Sequence, residues 1–148
     1  MSQKSSVLQV MQSVQLGLNP DRHGVMCIGY ENRKTELPDD FKFETNETHK
    51  TFPISIGPGA QIRGPGIEYQ VFDIEEIRLR KAFGYIWGWV NYNDVFPRTE
   101  RHRTEFCYQI LVGPAGRHAD PNQIIVTSYK KHNGSDEECL RKPEPYKA

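Results

Sequence analysis

The chain has 148 residues, enough for one domain with a core of its own and no need of disulfide or metal staples. Hydrophobic residues make up 36% and charged residues 26%, with 19 basic side chains balancing 19 acidic ones. That balance removes any overall field to recruit nucleic acid or an anionic membrane, and Cys27, Cys107 and Cys139 are too few and too scattered for a disulfide framework or a zinc site.

Glutamines interrupt every apolar run between Val7 and Leu16, so neither a signal-peptide core nor a transmembrane segment is visible. A soluble, cytoplasmic protein with reduced thiols is expected. Asn46-Glu-Thr48 and Asn133-Gly-Ser135 match the glycosylation pattern without a secretory context to support them. Residues 7–18 fit two patterns. Val7, Val10, Met11, Val14 and Leu18 make a helical face, while Val14, Leu16 and Leu18 make a strand face. Gly17 and Asn19-Pro20 as a stop favour the helix.

Gly24–Tyr30 reads as a short buried strand. Residues 31–51 are polar, with Leu37, Phe41 and Phe43 as anchors. Phe52–Ile56 is a further strand, which Pro53 pushes toward a sheet edge or a strand start. Two Gly-Pro-Gly triplets, 57–59 and 64–66, read as turns. They lack the Lys-Ser/Thr of a P-loop and the order of a dinucleotide loop, so a phosphate cradle is the weaker reading. Ile67–Phe72 alternates as a strand. Asp73 and Glu76 have capping-box spacing, with acids in the first turn and Arg78, Arg80 and Lys81 in the last, which predicts a helix over 74–82 ended by Gly84. The helix dipole explains that basic cluster better than a nucleic-acid patch does.

Phe83–Asp94 and Thr104–Val112 form the central hairpin, holding both tryptophans and three of the seven tyrosines. Phe83, Tyr85, Trp87 and Trp89 share one face; Gly84, Ile86, Gly88, Val90 and Tyr92 share the other, where two glycines imply close packing or a bulge. A strand apolar on both faces belongs in the middle of a sheet. Gln123–Tyr129 makes the last strand, after a turn at Asp120-Pro-Asn122, and the chain from about Lys130 reads as a polar, flexible tail.

The densest polar group gathers at the hairpin end: Asp94, Arg98, Arg101, His102 and Arg103, with Glu105 beside them. Three arginines and a histidine can hold a carboxylate or phosphate through charge-assisted bonds. The plainer reading is a solvated loop whose charges pair with Asp94, Glu100 and Glu105. His102 and Cys107, joined by Asp94 or His132, are the residues a transition metal would use, though a metal needs several converging ligands. The same pair has the composition of a Cys/His nucleophile, yet a cysteine inside a central strand is more often a small core residue. Exposed aromatics can stack on bases or sugars, but an aromatic stripe at period two is more often core.

Tyr85-Ile-Trp-Gly-Trp-Val-Asn-Tyr-Asn-Asp-Val-Phe96 followed by Arg101-His-Arg-Thr-Glu-Phe-Cys-Tyr108 resembles a family of uncharacterised bacterial proteins with a Tyr-x-x-Gly-x-x-x-Tyr-x-Asp-x-Phe strand and a His-x-Thr-x-Phe-Cys strand. The likeness extends weakly to the Asp73 region and to His132–Cys139, about half the chain. It implies a β-rich domain that in many relatives is tethered by transmembrane helices, which this sequence lacks. It brings no catalytic activity. It marks Tyr92, Asp94, His102, Thr104 and Cys107 as either a site or the structural signature of the hairpin.

These readings combine into a mainly β fold, an antiparallel sheet or β-sandwich, Ig-like in outline, of about six or seven strands with one short helix, forming a single domain over residues 1–148. The expected function is non-enzymatic: an interaction domain that meets a protein partner through the hairpin loop, with no cofactor and no nucleic acid. The alternative is an anion or metal site, catalytic in its strongest form, at Asp94, His102 and Cys107.

Overall fold

The computed structural model describes residues 6–8, 11–12, 24–45, 49–54, 62–63, 67–94, 96, 98–113 and 123–143. In chain order the strands are β1 (Ser6–Leu8), β2 (Met11–Gln12), β3 (Gly24–Arg33), β4 (Lys50–Ile54), β5 (Ile62–Arg63) and β6 (Ile67–Tyr69). Helix α1 (Val71–Arg78) follows, then β7 (Phe83–Tyr92), β8 (His102–Val112), β9 (Ile124–Ser128) and β10 (Gly134–Ser135), with a 3-10 turn at Asp136–Glu138. The fold is mainly β. A six-stranded antiparallel sheet runs β4-β3-β7-β8, and the outer edge of β8 is shared by β9 and β10. Two ribbons, β1 with β6 and β2 with β5, complete the strands. Among the described residues no helix is long and apolar enough to cross a membrane.

Strand β7 is central, as its double-sided pattern requires. It pairs with β3 from Val25↔Asn91 to Arg33↔Phe83 and with β8 from Gly84↔Ile110 to Tyr92↔His102. Its even residues join one core with Met26, Ile28, Ile54, Phe106 and Ile110, covered by Ile77 of α1 and by Tyr69. Its odd residues join a second core in which Tyr85 and Trp87 meet Cys107 and Tyr129, covered by Leu37, Phe41 and Phe43 from the segment after β3. Phe41 and Phe43 set their rings edge-on to Trp87 at 5.4 and 5.3 Å, the geometry that aromatic quadrupoles favour. Close packing at the two glycines is realised. A Cβ on Gly88 would lie 2.0 Å from the Cys27 carbonyl oxygen, and one on Gly84 would lie 2.4 Å from Cδ1 of Ile77.

Three expectations are corrected. The N-terminal stretch has strand at Ser6–Leu8 and Met11–Gln12, where helix was favoured; a partner strand in each ribbon satisfies the backbone and overrides a weak helical pattern. The rest of 7–18 lies outside the described residues, as do the two Gly-Pro-Gly triplets, Asn46-Glu-Thr48 and Asp120-Pro-Asn122. Helix α1 starts at Val71 rather than residue 74. Its N-cap is Gln70 without a side-chain cap, because Asp73 accepts a bond from Nδ2 of Asn32 (3.0 Å) instead. It stops before Gly84, at Leu79 and Arg80, where the Arg80 amide donates to Ile77 and the Lys81 amide to Glu76. Finally, the segment from Lys130 is built into the sheet. β10 pairs with Thr104 and Glu105 of β8, and the gap before it is closed by Asn133, whose Oδ1 accepts from the Cys107 amide (2.9 Å) while Nδ2 donates to the Tyr129 carbonyl (2.8 Å). A side-chain amide thus stands in for a ladder residue, keeping the edge of a buried strand hydrogen-bonded.

Candidate functional site

The hairpin end is organised by period two. β8 begins at His102, so His102 and Thr104 fall on one face and Arg103 and Glu105 on the other. The basic cluster that is contiguous in sequence is therefore divided by the sheet.

On the first face His102 is clasped between two carboxylates. Its Nε2 lies 3.1 Å from Oδ2 of Asp94 and its Nδ1 lies 2.9 Å from Oδ2 of Asp136. With both nitrogens facing carboxylates, the arrangement suits a doubly protonated ring. Burial opposes the charge, but the bonds to Asp136 and Asp94 outweigh it and raise the His102 pKa above the ordinary 6.5. The Tyr92 ring stacks on the imidazole at 5.3 Å, 28° between planes. Each carboxylate also holds backbone: Oδ1 of Asp136 accepts from the Arg103 amide (3.0 Å), and Oδ1 of Asp94 accepts from the Phe96 amide (3.0 Å) and the Thr99 hydroxyl. The Thr99 hydroxyl first, then His102 and the Phe96 amide, keep the Asp94 carboxyl below its usual range. Asp136 takes φ of 51°, a left-handed conformation that Asp tolerates better than most residues.

On the second face Arg103 is buried. Its Nε donates to Oε1 of Glu105 at 2.8 Å, it reaches Oδ1 of Asn91 at 3.3 Å, and its guanidinium lies over the Trp89 ring at 4.8 Å. The second oxygen of Glu105 accepts from the Leu140 amide at 3.2 Å. Arg101 donates to Oδ1 of Asn93 at 2.6 Å. Among the candidate cations Arg98 alone is both exposed and without an ion pair among the described residues; it has φ of 69°.

The structure brings Asp94 and His102 together and separates both from Cys107. Cys107 lies on the opposite face beside Trp87, fully buried, and burial pushes its thiol up to about 12. A thiol that stays protonated and points away from the imidazole is neither a nucleophile paired with His102 nor a shared metal ligand. His132 is likewise elsewhere, edge-on to Phe41 and Phe43 in the second core. Among the described residues no group of three His, Cys, Asp or Glu is arranged to hold a metal ion. Among the described residues, three of the four cations expected to hold an anion are engaged: His102 faces two carboxylates, Arg103 bonds to Glu105 and Arg101 to Asn93.

Sequence reasoning missed Asp136. It lies 34 positions from His102, in a segment read as tail, and its one cue was the weak likeness over His132–Cys139. It missed His49 as well, whose ring lies 3.8 Å from that of Trp87 and whose pKa burial pulls down to about 4. A Cβ on Gly29 would lie 2.5 Å from that ring; a glycine opposite an aromatic strand was the available signal. The loop between the strands, meanwhile, turns Phe96 outward at 66% exposure, the most exposed of the large apolar side chains described.

No family model matches this chain, and neither curated proteins nor solved structures give a match.

Proposed function

We propose that this chain is a non-enzymatic interaction domain that meets a protein partner through the loop between β7 and β8, with Phe96 as apolar anchor and Arg98 beside it. The observation that carries this reading is an exposed aromatic on a braced loop. Phe96 is two-thirds exposed while its own amide is tied to Asp94, and the loop is pinned from both ends by Asp94 and His102. A loop held this way loses little freedom on binding, which lowers the entropic cost of association, and aromatic and arginine side chains are the commonest energetic centres of interfaces.

Photo-crosslinking tests the proposal. With p-benzoylphenylalanine in place of Arg98, in cells that make the protein naturally, one discrete adduct is expected, with Phe96→Ala weakening its capture about 30-fold, as a hot-spot residue does. The reading fails if a crosslinker at Thr127, far from the loop, yields the same adduct, or if Phe96→Ala leaves the adduct unchanged.

A further inference from the structure

At the other end of the same hairpin lies a cleft of about 600 Å³. The β7–β8 ladder stops at Gly84↔Ile110, so β8 runs on through Leu111 and Val112 with no β7 partner, and the cleft opens there. Ile77, Ala82, Phe83, Ile110, Leu111 and Ile125 make its apolar walls. Leu111 is 42% exposed. Two polar side chains share the lining, Gln109 and Arg80.

Arg80 is unusual in two independent ways. It occupies the position just past α1 where the chain turns left-handed, with φ of 56°, its amide bonded to Ile77 and the next amide to Glu76. That pattern is a Schellman ending, and its left-handed residue is ordinarily glycine because a Cβ is strained there. Its guanidinium also has no carboxylate within ion-pair distance among the described residues, although Glu75 and Glu76 stand nearby, engaged by Arg78 and Lys34. A strained backbone that holds an unpaired guanidinium at the rim of an apolar cleft is the kind of outlier from which a functional role is inferred.

We infer that this cleft binds a small amphipathic carboxylate, with Arg80 pairing the carboxylate, Gln109 donating to it, and the apolar walls taking its hydrocarbon body. The volume falls within the range of roughly 300–1,000 Å³ common to small-molecule sites. A guanidinium fork matches a carboxylate in two parallel bonds. A neutral apolar ligand would leave Arg80 unused, and a cation would be repelled by it and by Lys81 next in the chain.

Three probes of equal length separate these cases: octanoate, octanol and octylammonium, titrated while the isotope-labelled methyl groups of Ile77, Ile110 and Ile125 are observed by NMR. Octanoate is expected to shift these signals saturably and to bind at least tenfold more tightly than the other two. Arg80→Gly removes the charge and the strain together. It is expected to lower octanoate affinity at least tenfold while raising the thermal midpoint by about 3 °C, so lost binding cannot be confused with lost folding. Equal binding of octanol and octanoate, undiminished binding by Arg80→Gly, or no saturation up to about 10 mM octanoate would each overturn the assignment.

Discussion

His102 is where a single proton decides the most. The unfolded chain holds a histidine near 6.5, and the clasp between Asp94 and Asp136 raises the folded value above that. A raised cationic group stabilises the fold fully below the unfolded value, and that contribution disappears as pH climbs through the folded one. Asp94 works in the opposite sense. Its folded value lies below 3.8, so its contribution is lost only in acid, as pH falls through that lowered value. The clasp is therefore strongest in mildly acid to near-neutral solution. Urea unfolding followed from pH 5.5 upward is expected to show wild-type stability declining once pH exceeds about 6.5, with a flatter profile for His102→Gln. NMR titration of the His102 ring checks the cause, and a value at or below that of an exposed histidine would remove it. At this scale the sequence was half informative. It gathered Asp94, Arg98, Arg101, His102 and Arg103 because they are neighbours, but alternation on β8 sent Arg103 to the other face, and Asp136 arrives from a segment read as tail. The buried Arg103–Glu105 pair repeats the lesson. Two charges only two residues apart are legible as a pair, whereas their burial, with the Leu140 amide bonded to Glu105, is a property of the fold.

At the scale of elements, strands were more legible than helices because alternation over ten residues leaves little ambiguity. β7 and β8 fall close to where period two puts them and β3, β4 and β9 close to their apolar runs, with Pro53 on an edge strand, whereas the alternating stretch Ile67–Phe72 keeps strand only at Ile67–Tyr69 and yields Val71 and Phe72 to α1. The helix was shifted by its own best cue: the Asp73/Glu76 spacing fits a capping box, but Asn32 competes for the Asp73 carboxylate and the helix begins earlier. Gly88 shows how an element depends on a missing atom. Strands β3, β7 and β8 come together over it, with the Cys27 carbonyl oxygen 2.0 Å and the Phe106 ring 2.5 Å from where a Cβ would sit. The first of these is backbone and cannot swing aside. Gly88→Ala is expected to cost about 3 kcal/mol or more, measured by chemical denaturation. A loss below about 1 kcal/mol, the typical effect of any substitution, would mean that β3 and β7 pack less closely than described.

For the molecule as a whole, one sheet carries two cores, and they are closed by different means. The even face of β7 is covered by a helix. The odd face is covered by an irregular segment, 34–45, whose buried side chains are Leu37, Phe41 and Phe43. Composition foretold such economy: with 36% hydrophobic residues, few remain for a second lid. Each anchor therefore carries a large share. Phe43→Ala is expected to destabilise by about 3–5 kcal/mol, whereas Phe96→Ala, on the exposed loop, should stay within about 0.5 kcal/mol. Equilibrium unfolding of the two variants side by side makes the comparison; a small effect at Phe43 would show that segment 34–45 is not what seals the second face.

The amide of Asn133 stitches the outer edge of β8, and the residue after it is Gly134. Asn-Gly is the pairing at which a backbone nitrogen most readily attacks the side-chain carbonyl, expelling ammonia and opening to aspartate or isoaspartate. Here the amide nitrogen that would be lost is the donor to the Tyr129 and Lys131 carbonyls. Hydrolysis would leave a carboxylate facing two carbonyl oxygens, and the isoaspartate product would add a backbone atom just before β10. The sheet edge thus carries its own chemical clock. While the fold holds Asn133 in place the clock is slowed, and once the stitch is hydrolysed, the turn that supplies Asp136 to His102 loses its mooring.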